Sequence, residues 1–142
     1  MNLDPSAFGT IDREHQVQIG LVRALCDAVR WSAGAEQTRQ ILEQVVAYSD
    51  VHFMSEQLLM RLCSYPGYDD HVLDHEHMME MLRGVESRQA AGEGSLASNE
   101  AQDMLRFLSH HIATRDRQFA EYHLEWSRRA ADAGKSAPER EP

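Results

Sequence analysis

The sequence is poor in cysteine and proline, poor in positive charge, and has no long apolar run. Two cysteines, Cys26 and Cys63, cannot build a disulfide framework and are not a Cys-x-x-Cys pair. A reducing, cytoplasmic compartment is the default expectation. No apolar stretch approaches the ~18–20 residues of a membrane span. Met1-Asn2-Leu3-Asp4-Pro5 has neither the basic start nor the apolar stretch of a signal peptide. Lys and Arg number 14 against 23 Asp and Glu, a net charge of −9. That deficit argues against nucleic acid or an anionic membrane as the main partner, since both need a basic surface. There is no solenoid-type repeat and no low-complexity segment. With only 8 Gly and 4 Pro and 42% hydrophobic residues, the composition is that of a globular fold. A chain of 142 residues favours one domain. A compact fold of that size buries roughly two-thirds of its unfolded surface. The unusual abundance is histidine, with 8 residues.

Nothing reads as a strand. Residues 1–12 read as an extended arm, because Pro5 and Gly9 interrupt a helix. Helical periodicity follows Asp12: His15, Ile19, Val22, Cys26 and Val29 share a face, predicting a first helix over 13–31. Ile41, Val45, Tyr48, His52, Glu56, Leu59 and Cys63 form one stripe of a second, over 36–64, stopped by Tyr65-Pro66-Gly67. A third over 69–89 turns His71, His75, Met78, Met79, Leu82 and Val85 inward. A fourth runs over 98–131, with Ser98 as its cap and Leu108, Ile112, Asp116, Phe119 and His123 inside. Short connections make neighbours antiparallel. The expected fold is all-α: an antiparallel up-down-up-down four-helix bundle with an extended N-terminal arm. The domain then spans 1–131, and the polar segment 132–142 is a disordered tail.

The inner stripes contain groups that do not belong in an apolar seam: His15, His52, Glu56, His71, His75, His111 and Asp116. Burying a carboxylate costs several kcal/mol unless a partner neutralises it. Taken singly, each group has an ordinary reading. An inward His such as His15 is commonly a hydrogen-bonded core residue, and His52 with Glu56 can be an ion pair. About 0.4 His-x-x-x-His pairs are expected by chance at this histidine content, so His71/His75 alone is weak. Together the seven come from all four helices, and a shared cation is the economical solution. Residues i and i+4 lie about 6 Å apart along one face, so His71 and His75 could grip one metal and His52 a second, with Glu56 between them. On a regular helix Asp116 points about 140° away from His111, which suits a carboxylate bridging two metals. Imidazole and carboxylate suit iron and several other first-row metals.

At these residues the chain resembles the hemerythrin family, specifically its single-domain bacterial type, over roughly 8–126. The matching segments are Ile11-Asp12-Arg13-Glu14-His15, His52-Phe53-Met54-Ser55-Glu56-Gln57-Leu58-Leu59-Met60, Tyr65-Pro66, His71-x-x-x-His75 and His111-Ile112-x-x-x-Asp116. The resemblance implies a di-iron centre. His71, His75 and His111 would bind one iron, and His15 and His52 the other. Glu56, Asp116 and an oxo or hydroxo group would bridge them. Ligand counting then leaves one open position, on the second iron, where dioxygen would bind end-on and leave unchanged. The implied role is a non-enzymatic oxygen carrier, store or sensor, working as a monomer or weak oligomer.

Phe53, Phe107, Leu108 and Ile112 lie beside these positions and would line a dry pocket, or simply pack the core. Three residues after His15 the family pattern usually has Leu, and here stands Gln18. It would hydrogen-bond a ligand or admit water if it faces the open site. Alternatively Ile19 takes that place and Gln18 lies outside. Two smaller departures are Gln57 for a common Glu and Phe107 for a frequent Trp. Gln18 motivates a second reading, a di-iron enzyme acting on peroxide or nitric oxide. A third is an oxygen- or redox-responsive signalling module. A ferritin-like oxidase fits less well, because the chain contains no Glu-x-x-His. His77 and His110 read as exposed and His123 as core. Cys26, Cys63 and the Met78–Met81 segment read as packing, and Arg115 and Arg117 as a solvated face.

Overall fold

The computed structural model describes residues 6–94 and 96–136. Among these there is no strand. Helix α1 is Ser6–Arg30, α2 Ala35–Leu62 and α3 Tyr68–Ala90. The fourth rod is α4, Ser98–His111, then a π-helical turn, Ile112–Asp116, then α5, Arg117–Ser136. Packing partners close a ring, α1 on α2, α2 on α3, α3 on α4 and α4 on α1. This is the expected antiparallel four-helix bundle. Among the described residues no helix is long and apolar enough to cross a membrane.

The ends of the chain differ from expectation. Residues 6–12, expected as arm, form the first turns of α1, and residues 1–5 lie outside the described part. A glycine within a helix costs only about 1 kcal/mol, and burial of Ile11 and His15 on this segment offsets Gly9. At the other end α5 continues to Ser136, past the expected boundary at 131, while 137–142 lie outside the described residues. The cap of α4 is Ala97, one residue before Ser98, and Glu100 Oε1 accepts from its amide at 3.2 Å.

The first three helices end alike. The chain turns through a left-handed residue, Ser32, Ser64 or Gly92. The next amide then reaches back to the last turn: Ala33 to the Ala28 carbonyl, Tyr65 to Met60 and Glu93 to Arg88, each at 2.9 Å. This closure satisfies carbonyls that a helix end leaves unpaired. It allows the short connections that hold neighbouring helices antiparallel.

Apolar packing falls into two clusters. The larger holds Val22, Leu25, Leu42, Val45, Leu82 and Met104 with their neighbours. The smaller holds Met60, Cys63 and Phe119, flanked by Tyr65, Tyr68, Tyr122 and Trp126. The polar positions fall between Val45 and Met60 on α2, between Tyr68 and Met78 on α3 and between Leu108 and Phe119 on the fourth rod, and His15 precedes Val22 and Leu25 of the larger cluster on α1. A polar layer therefore crosses the bundle between two apolar plugs.

Candidate metal centre

All seven suspect side chains are buried, Glu56 and His71 to 1% exposure. The rods bring them to one depth, and the two carboxylates divide their oxygens between two groups of imidazoles. Glu56 Oε1 meets the Nε2 atoms of His71 and, at 3.1 Å, His75. Its Oε2 lies 3.4 Å from Nε2 of both His15 and His52. Asp116 repeats the division. Its Oδ1 lies 2.9 Å from His71 Nε2 and 3.0 Å from His111 Nε2, and its Oδ2 lies 3.0 Å from His15 Nε2. One set is therefore His71, His75 and His111 with one oxygen of each carboxylate. The other is His15 and His52 with the remaining two oxygens. Two groups of such atoms, each within 4.8 Å of one another, could hold a metal ion: Glu56, His71, His75, His111 and Asp116, and His15, His52 and Glu56.

The closeness of His111 and Asp116 corrects the expected 140° divergence, which assumed a regular helix. Between them the backbone winds as a π turn, Ile112–Asp116. A π turn closes i to i+5, so a five-residue spacing returns to the same face. Thr114 Oγ1 supports the turn by donating to the His110 carbonyl at 2.7 Å.

The outer ring nitrogens are anchored separately. His52 Nδ1 lies 2.7 Å from Glu14 Oε2, His75 Nδ1 2.9 Å from Gln57 Oε1, and His111 Nδ1 3.0 Å from Asp74 Oδ2. Arg115, expected on a solvated face, instead reaches Asp74 Oδ2 with Nε at 3.4 Å. An acceptor at Nδ1 fixes the proton there and leaves the Nε2 lone pair facing inward, the usual arrangement of metal-binding histidines. Sequence reading missed Glu14 and Asp74 in this role and noted Gln57 only as a departure. Glu14 and Gln57 stand beside His15 and Glu56 in the chain, whereas Asp74 had no such signal.

Several of these buried atoms lack a hydrogen bond: His52 Nε2, His111 Nε2 and Asp116 Oδ1. His111 Nε2 and Asp116 Oδ1 are nevertheless 3.0 Å apart. The contact is short but not aligned donor to acceptor. Atoms that crowd together without pointing at one another suit a shared cation better than a hydrogen-bond network.

Without a cation the cluster must supply its own positive charge. Burial alone would lower the His15 pKa, but Asp116 and Glu56 outweigh it and raise it to about 9. The same opposition, burial against Asp116 and Glu56, raises His71 to about 9. His52 is raised despite burial by Glu56 and Glu14, while burial prevails at His75 and lowers it. Burial would raise both carboxyls, yet the imidazoles hold Asp116 down to about 2 and Glu56 well below the usual range.

Of the expected pocket residues, Phe53 stacks on His75, with ring centres 4.0 Å apart, and Leu108 is fully buried. Ile112 lines a cavity of about 230 Å³ that also touches His15, Glu56 and Asp116. Phe107 follows the core-packing alternative: it is half-buried against the larger apolar cluster, with its ring 4.8 Å from that of His77. Gln18 is buried, which excludes its lying outside, while Ile19 is half-buried. His77 and His110 are exposed, and His123 is buried between Phe119 and Trp126.

The family model of the hemerythrin HHE cation binding domain matches residues 6–122. The bacteriohemerythrin of Ralstonia nicotianae is 24% identical over 106 residues, 75% of this chain and 74% of that protein. A wild-type hemerythrin crystal structure superposes with a TM-score of 0.74 at 21% identity, covering 78% of this chain and 85% of the other. It shows the same fold.

Proposed function

The chain belongs to the hemerythrin family, and on that premise we propose that it binds dioxygen reversibly at a buried two-iron centre, as a carrier, store or sensor. The observation that supports this best is the division of Glu56 and Asp116 between two sets of imidazoles. In this reading His71, His75 and His111 hold one ion, His15 and His52 hold the other, and the two carboxylates bridge them. Held there, an iron pair would supply the electrons and the position at which the ligand binds, on the His15/His52 side.

The rest of the chemistry belongs to the protein. Glu14, Gln57 and Asp74 orient three of the five imidazoles. The apolar clusters on either side keep bulk water away, with Phe53 and Leu108 of the larger one against the polar layer. The cavity between α1 and α5 offers a small ligand a route to His15, Glu56 and Asp116. A net charge of −9 fits a small-molecule ligand better than nucleic acid or an anionic membrane. The test is optical. The reduced, iron-loaded protein should develop a visible absorption band in air that disappears under vacuum and returns with air. Irreversible oxidation with no such band would refute the carrier reading. It would favour action on peroxide or nitric oxide, the reading to which buried Gln18 lends support.

A further inference from the structure

Gln18 and Ser49 form a buried polar pair outside the seven groups of the metal centre. Both are fully buried, Gln18 to 1% exposure and Ser49 to 0%. Gln18 Nε2 donates to Ser49 Oγ across the α1–α2 seam at 2.9 Å. Among the described residues Gln18 Oε1 has no hydrogen-bond partner, and it is closed off from solvent.

Their register places them at the centre. Gln18 follows His15 by three residues and Ser49 precedes His52 by three, so each lies one turn from a histidine on the same face. A helical side chain leans over the turn N-terminal to it, so Gln18 lies back towards His15. The rings of His15 and His52 are themselves 4.8 Å apart, edge to face. Ser49 therefore holds the carboxamide one turn from the two imidazoles whose ion would carry the open position. Were this place filled only for packing, an apolar side chain would serve without burying an unpaired oxygen.

We propose that Gln18, positioned by Ser49, determines which small ligand the open position accepts. Its Oε1 accepts a hydrogen bond from a ligand that carries a proton, such as hydrogen peroxide or water. It disfavours an anion with no hydrogen to offer, such as azide. This rests on the reading of His15 and His52 as holders of the ion with the open position. A carbonyl-type oxygen carries partial negative charge, so in a dry site it repels a bare anion as it attracts an O–H group. One neutral hydrogen bond corresponds to about five-fold in affinity.

The test is a pair of titrations on the oxidised, iron-loaded protein. Azide affinity is read from absorbance, and hydrogen peroxide affinity from its displacement of azide within the first milliseconds of mixing. Gln18→Leu and Gln18→Met should each tighten azide about five-fold and weaken peroxide about five-fold. Ser49→Ala should move both in the same directions by less. Without metal, Gln18→Leu should raise the melting temperature, because it removes a buried unpaired oxygen. If both ligands shift together, or neither shifts, Gln18 does not select by hydrogen bonding. If Gln18→Leu lowers the metal-free melting temperature, the oxygen is not unpaired, and the proposal also falls. If the unaltered protein holds iron but never binds azide, the reading of an open position fails instead.

Discussion

Replacing Glu56 with leucine separates a metal site from a structural ion-pair network, because the two readings predict different outcomes in the metal-free protein. Glu56 faces four imidazoles. Raising one imidazole from 6.5 to about 9 against the opposing effect of burial corresponds to about 3 kcal/mol net. At His15 Asp116 is the larger source of that rise and Glu56 the smaller, and at His71 the two share it. Losing Glu56 thus forfeits on the order of 1–1.5 kcal/mol at each of the two, or about 2–3 kcal/mol together. Against this, Glu56→Leu removes a buried carboxylate whose desolvation costs several kcal/mol. The metal-free variant should therefore melt within a few degrees of the parent protein, or above it. With iron the sign reverses. An ion held at a hundred times its dissociation constant stabilises by about 2.7 kcal/mol, and a carboxylate shared by both sites cannot be lost without weakening both. The assay is thermal melting by circular dichroism with and without ferrous iron, with iron counted per chain. A variant that binds iron normally but is destabilised by about 3–5 kcal/mol without it would mark Glu56 as part of a structural ion-pair network.

The shifts at His15 and His71 make metal loading proton-linked. Both are charged at pH 7 without metal and must be neutral to bind it, so loading should release about two protons per chain. Calorimetry in buffers of different ionisation enthalpy reads that number, and a value near zero would contradict the charge state. In the metal-free protein, the stability these raised groups supply is fully present below pH 6.5 and is lost as pH rises through about 9. Asp116 acts oppositely. Its contribution is present above about pH 3.8 and is lost as pH falls towards 2. Asp74→Ala removes the acceptor of His111 Nδ1 and should weaken metal binding about 10–100-fold with little change in helix content. Unchanged affinity in a competition titration would show that the contact orients nothing. Phe53→Ala should destabilise by about 3–5 kcal/mol and, by opening the layer beside His75, speed oxidation of the reduced iron-loaded protein. An unchanged oxidation rate would show that Phe53 does not exclude water.

Much of the bundle is written in its periodicity, because each rod must bury one broad stripe. The stripe's centre is less legible. On α2 the readable line Ile41–Tyr48–Leu59 is half-buried, while Leu42, Ser49, Phe53 and Met60 share the deepest positions with Val45, His52 and Glu56. A rod at the corner of a ring packs against two neighbours, so its buried face is wider than one line. Ser49 escaped notice for that reason, as did Leu25 on α1. The seven polar groups were legible because their charge contradicts their register.

What the sequence hid was local winding and cross-helix pairing. Nothing in Ile112-Ala113-Thr114-Arg115-Asp116 announces a π turn, yet that turn brings Asp116 back to His111. Asp74 reads as one more surface acid until the third and fourth rods bring it to His111. The extent of α1 and α5 was misjudged because Gly9 and the polar residues after 131 were weighed as local propensities, whereas regular winding continues through both.

The most direct measurement counts cations. Protein reconstituted anaerobically with ferrous iron and desalted should carry two iron ions per chain and melt well above the metal-free form. A chain that retains none, and melts at the same temperature with or without iron, would contradict the claim that seven buried polar side chains are held together by a pair of metal ions.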